Sequence, residues 1–283
     1  MMSNKKRIIN PITAKDVKVT LRGHSIPVTV LAVNVLLFLA GLLGVYGRAR
    51  GMEIDGRADY RQFLYVYAVV CFLLEFIVLL AGCIITSGSI TGEKESGTFD
   101  LLKSAGLSAT RIAAGKLLSA VHAVAVLIVS AFPALLVPLM FGGPGLTEVF
   151  CVVAGLFPLM LFSACTGLFV SSLSRSSVVS AAVSAAAVIV FAALPALLTV
   201  FLLPKGTAAG TWLVALDPLT PVVSLVLSQI GEGARLSAYA VPASPADAAD
   251  GWVALNLTAV SFGLQVMISL LLFALTVRKI GKA

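Results

Sequence analysis

Histidine is almost missing from this sequence: His24 and His122 are the only two in 283 residues. Neither belongs to an HExxH pair, neither has an acidic neighbour in sequence, and no G-x-S-x-G occurs, so the zinc- and serine-hydrolase signatures are excluded. A phosphate-binding loop is missing too. Gly115-Lys116 has the right dipeptide, but Thr110 stands where the first glycine of a Walker motif belongs and Leu117 where its Ser or Thr belongs. Charge is scarce: Asp, Glu, Lys and Arg make up 12% of the chain, against about a quarter in soluble domains. The four cysteines, Cys71, Cys83, Cys151 and Cys165, all fall inside apolar runs and form no CxxC, so they read as small buried hydrophobes rather than a disulfide or metal framework.

What is abundant is apolar. Residues of the AVILMFWYC set are 59% of the chain, and mean hydropathy is +1.04. A core surrounded by water needs a charged shell to cover that much apolar surface; lipid does not require one. The remaining charges sit in short islands between runs long enough to cross a bilayer. Six spans are predicted: Ile26–Tyr46, Phe63–Ile90, Ile112–Phe141, Val149–Leu173, Val178–Leu203 and Trp252–Val277. Pro133, Pro138, Pro158 and Pro195 lie within them and predict kinks rather than ends. Met1 to Asn10 is basic but lacks the apolar core of a cleaved signal peptide, so the first span is expected to anchor the chain.

Orientation follows from Lys and Arg. With the N-terminus inside, the inner segments hold 14 basic residues and the outer loops 6, while the acids run the other way, 4 inside and 8 outside. The positive-inside rule then puts both termini in the cytoplasm of a multi-pass cell-membrane protein. The formal charge of +7 is thereby explained without nucleic acid. Trp212–Ser228 is apolar yet carries Asp217, Pro218 and Pro221. As a seventh span it would move Arg278, Lys279 and Lys282 outside, so it reads as a broken, re-entrant or extracellular element before span 6.

Two inner pieces are more than connectors. In residues 1–24, Asn10-Pro11 suits an N-cap and first helical position, and Ala14, Val17 and Leu21 share one helical face. An amphipathic helix lying on the inner leaflet is the preferred reading, although Val17–Arg22 also alternates like a strand. Between spans 2 and 3, Thr98 can cap a short helix with Asp100 in its first turn. Phe99, Leu101 and Leu102 give it an apolar side, Gly106 ends it, and Ser108 caps the next span. It reads either as a docking helix for a partner's groove or as a polar loop. His122 is expected to bond between helices. Gly88-x-x-x-Gly92 and Ser163-x-x-x-Gly167 permit close helix approach, though such matches arise readily by chance with 24 glycines. Glu75, between Leu74 and Phe76, lies deep in the second span. A charged carboxylate there costs at least ~2.5 kcal/mol, so it faces protein or water or takes up a proton. It serves either a pathway or a bond to a neighbouring helix.

Ile90 to Leu118, ITGEKESGTFDLLKSAGLSATRIAAGKLL, resembles the first cytoplasmic loop of ABC-2-type exporter permeases. The matching features are the cluster Glu93-Lys94-Glu95, Gly97-Thr98, the pair Leu101-Leu102, Ser108, and Gly115-Lys116 opening the third helix. Ala105-Gly106 stands where the family commonly has a proline before the serine. Asn10-Pro11 with Lys15-Asp16 is similar to the family's amphipathic connecting helix, and Ser172–Ser176 to its short second cytoplasmic loop. The resemblance implies an all-α membrane domain, residues 25–283, preceded by the cytoplasmic segment 1–24.

It further implies an exporter permease that pairs with a second copy, identical or related, in membrane lipid. Separate ATPase subunits would carry the ATP and Mg, with no cofactor in this chain. The run Thr98–Lys103 would be the coupling helix, with Glu93, Glu95, Gly97, Thr98, Phe99, Leu101 and Leu102 as ATPase-coupling residues. The second span would line the pathway through Phe72, Glu75 and Phe76. The rival readings are an ion-coupled secondary transporter or channel, which commonly carries several intramembrane charges and internal repeats, and a non-transporting membrane scaffold.

Overall fold

A computed structural model of the chain describes residues 25–55, 62–98, 108–201, 208–232 and 256–282. The amphipathic segment 1–24, the coupling residues Phe99, Leu101 and Leu102, and the end of the segment before span 6 lie outside these residues. Among the described residues there are helices and no strands.

The helices are α1 Ser25–Asp55, α2 Gln62–Glu95, α3 Ala109–Ser130, α4 Phe132–Leu136, α5 Leu146–Leu173, α6 Ser177–Phe201, α7 Ala208–Leu216, α8 Thr220–Gln229 and α9 Leu257–Lys282. A single 3-10 turn, Pro138–Phe141, follows α4. Six candidate membrane spans result, the third running from Ala109 to Phe141 as α3, α4 and the turn. Pro158 and Pro195 sit inside unbroken helices, as expected. Pro133 and Pro138 do more than kink. Each opens a new segment, because a ring nitrogen has no N–H for the carbonyl one turn back.

α2 and α5 form the centre. About half of each span is buried, against 17% of α1, whose outward residues Leu31, Val35, Leu39 and Leu43 remain exposed. Lipid is the natural solvent for such a face. α2 contains 34 residues, a length of about 51 Å, and so extends well beyond a hydrocarbon core of about 30 Å.

The close approach of α2 and α5 depends on glycine. A Cβ on Gly82 would collide with the Ser163 hydroxyl, and one on Gly167 with Thr86 Oγ1 and the Cys83 backbone, whose Cα would be 2.8 Å away. The Ser163-x-x-x-Gly167 spacing is therefore used at this crossing. Gly88 and Gly92, by contrast, face open space. His122 is exposed on α3, so it does not join helices among the described residues.

One end of the bundle carries Ile90, Ala113, Leu168 and Ile280 in a small apolar cluster joining α2, α3, α5 and α9. Gly281 lies beside Ala109 at the same end. α6 leaves this end and α9 returns to it, so the chain between them makes no net crossing. That stretch contains α7 and α8, bent by 97° at their junction. They have 9 and 10 residues, about 15 Å each, too short to span alone. The bend is built by Asp217 and Pro218: Asp217 Oδ1 accepts from Leu219 N at 2.9 Å, and Thr220 N donates to the Asp217 carbonyl at 3.2 Å.

Candidate functional site

α2 ends in a turn that only glycine makes cheaply. Gly97 has φ 68°; its N–H donates to Lys94 O at 3.3 Å, and Thr98 N donates to Glu93 O at 3.0 Å. These are the two bonds of a Schellman motif, which satisfies the last carbonyls of the helix. Thr98 Oγ1 also bonds the Ser96 hydroxyl at 2.9 Å, so within the described residues Thr98 closes α2. On the far side of residues 99–107, the Ser108 hydroxyl accepts from Arg111 N at 3.4 Å and caps α3, as expected.

The three charged residues before this turn each hold a different element. Glu93 Oε1 pairs with Lys116 Nζ of α3 at 2.5 Å, and both side chains are largely buried. Lys94 Nζ donates to the carbonyls of Ser172 and Ser174 at 2.7 and 3.2 Å, placing a cation on the negative end of α5. Glu95 accepts from the backbone N–H of Ser177 at 2.8 Å and from its hydroxyl, placing an anion on the positive end of α6. Just inside, Ser171 Oγ accepts from Ile90 N and Thr91 N, both at 3.1 Å. The cluster Glu93-Lys94-Glu95 is thus a clamp: it fixes the C-terminus of α2 to α3, α5 and α6 at once. Sequence reasoning named the acids and missed Ser177, which bonds Glu95, and Ser171, which takes the Ile90 and Thr91 N–H groups. The only signal for these was the serine-rich junction between the fourth and fifth spans.

The expected pathway residues do not share an environment. Phe76 is 45% exposed, on one α2 stripe with Tyr65 and Val69. Phe72 packs at the edge of the core. Glu75 is only 2% exposed, and its Oε1 has no hydrogen-bond partner among the described residues. It lies near enough to Asp217, at the α7–α8 bend, for the two carboxyl groups to interact electrostatically.

Higher up, Tyr67 OH donates to Gln229 Oε1 at 3.1 Å, and Gln229 Nε2 to Glu148 O at 3.1 Å, tying the end of α8 to α2 and α5. Tyr67 and Glu75 are two turns apart, about 12 Å. α8 therefore runs along α2 from the Gln229 level to the Asp217 level.

No curated protein matches the chain. Residues 51–278, however, match the family model described as ABC-2 family transporter protein. With six apolar spans and most of its length inside that match, the chain belongs to the ABC-2 transporter family and is a multi-pass membrane component of an ABC transporter.

Proposed function

We propose that this chain is the permease subunit of an ATP-driven exporter, paired with a second permease copy in the cell membrane and moved by separate ATPase subunits. The clamped base of the loop between α2 and α3 is the observation that carries this reading. A force applied to residues 99–107 has no slack to take up there. Glu93, Lys94 and Glu95 pass it to α3, α5 and α6 together. In this reading, ATP and Mg bind the partner subunits, and closure of the ATPase dimer shifts the apolar side of Phe99, Leu101 and Leu102. The central helices then move between inward- and outward-facing states. Such a switch requires contacts that differ between the two states, not proximity alone.

The clamp end is the basic end, with Arg175 and Lys279 beside Lys94. That supports a cytoplasmic placement for it and for both termini. The depth of the α7–α8 bend supports a re-entrant element dipping from the opposite face. The outward stripe of α2, with Phe76 and its neighbour Phe72, is the pathway face in this reading; the burial of Glu75 leaves that residue to the protomer interior.

Leu102→Asp tests the proposal. An unpaired carboxylate on the docking side costs several kcal/mol when desolvated. The variant is expected to insert at normal levels but to lose ATP-driven transport and ATPase co-purification. Normal transport with the partner ATPase present would falsify the docking role.

A further inference from the structure

Around the α7–α8 bend the protein buries oxygen atoms that it leaves without hydrogen-bond partners. Glu75 Oε1, Gln265 Oε1 and Ser261 Oγ are all buried and have no hydrogen-bond partner among the described residues; the three side chains are 2%, 3% and 1% exposed. They converge on the bend from two sides. From α2, Glu75 lies about 12 Å along the helix from the Tyr67–Gln229 bond, close to the length of α8, and so level with the bend and near Asp217. From α9, Gln265 Nε2 donates to the Pro218 carbonyl at 3.1 Å, which sets its free Oε1 beside the same bend. Ser261 lies one turn earlier on that face of α9. Neither carboxyl group forms an ion pair among the described residues.

Two carboxyl groups, an amide oxygen, a hydroxyl and a backbone carbonyl form a donor set of oxygen alone. What such a set lacks is positive charge. The C-terminus of α7 also brings the negative end of its dipole to Asp217. Interrupted helices with exposed carbonyls are where membrane proteins hold small cations, and hard cations are the ones that take oxygen ligands. A single proton would satisfy one oxygen pair and leave the Gln265 oxygen unmet. A water would leave the carboxylate charge uncompensated.

We propose that the bend is a binding site for a small hard cation, alkali or alkaline-earth, held by Glu75, Asp217, Gln265, Ser261 and the Pro218 carbonyl. The bound ion locks α7–α8 against α2 and α9. The site needs no ATPase partner, so its test is independent of the exporter reading.

The experiment is thermal unfolding of the full chain, purified in detergent, in sodium, potassium, magnesium or calcium chloride against N-methylglucamine chloride at equal ionic strength. A saturable rise in Tm of several degrees is expected with one of these cations, since a ligand that binds only the folded state stabilises it. Which salt acts identifies the ion. Glu75→Gln and Asp217→Asn should abolish the rise, and Ser261→Ala should increase the half-saturating concentration several-fold. If the carboxylate variants do not fold, isotope binding to the wild-type chain and to Ser261→Ala reads the same site. Equal Tm in all salts, an unchanged response in Ser261→Ala, or a rise reproduced by acid without metal would each overturn the proposal.

Discussion

Gly167 is the residue on which the central contact turns. Its missing side chain lets α5 approach the Cys83 backbone and Thr86 of α2, and overpacking at such a crossing costs about 1–3 kcal/mol. Gly167→Val is therefore expected to lower Tm clearly and to reduce the folded yield. Gly88→Val, facing open space, should change Tm by no more than the loss of a flexible residue would. Comparable losses from the two would mean that α2 and α5 do not meet at Gly167. The two glycines were indistinguishable in sequence, because each belongs to a small-x-x-x-small spacing and only the neighbouring helix decides which one is used. Glu75 was legible for the opposite reason: a carboxylate within an apolar run stands out without any partner. What sequence alone left open was its direction. Its burial beside Asp217 leads to the expectation that Glu75→Gln changes thermal stability, while transport per folded molecule keeps its substrate preference. Phe76→Ala, on the exposed stripe, should do the reverse. Measuring both quantities on one preparation of each variant separates the two roles.

At the level of elements, the clamp at the end of α2 gathers side chains that are local in space and remote in sequence. Glu95 and Ser177 are 82 positions apart, and no periodicity within either segment announces their contact. The acid-base-acid cluster and the Ser108 cap were readable, since their signals are local. The ties to α3, α5 and α6 follow only from packing. The Glu93–Lys116 pair offers a test of whether these ties transmit force or merely stabilise. Lys116→Met removes a charge-assisted bond of about 1.5–3 kcal/mol, leaving a largely buried carboxylate without that partner. Transport per hydrolysed ATP is expected to fall further than the drop in Tm explains, and the double exchange Glu93→Lys with Lys116→Glu should restore a substantial part of it. If the single variant loses stability while keeping its full transport-to-hydrolysis ratio, the clamp is structural only.

For the whole molecule, the number of crossings decides which parts face which side. Six long apolar runs were plain from hydropathy; the status of the apolar stretch around Asp217 was not, since composition cannot distinguish a bent pair from a span. Packing supports six. α9 ends beside α3 and α2, with Ile280 against the Ile90, Ala113 and Leu168 cluster. The C-terminus of α9 therefore shares a side with the clamp, and an even number of crossings also places the start of α1 there. The excess of basic residues on that side makes it the cytoplasmic one in the proposed orientation. Single cysteines report this directly, provided Cys151, which is exposed, and the buried Cys71, Cys83 and Cys165 are first replaced by alanine or serine. Ser3→Cys and Lys282→Cys should react with a membrane-impermeant maleimide only in inside-out vesicles, and Ser244→Cys only in intact cells. Labelling of Lys282→Cys from outside, with Ser3→Cys still inside, would require an odd number of crossings. Only α7–α8 can supply the extra one, and α9 would then have to run opposite to the direction its contacts with Ala109 and Ile90 impose. Outside labelling at both ends would keep the six crossings and reverse the molecule, moving the clamp away from any cytoplasmic ATPase.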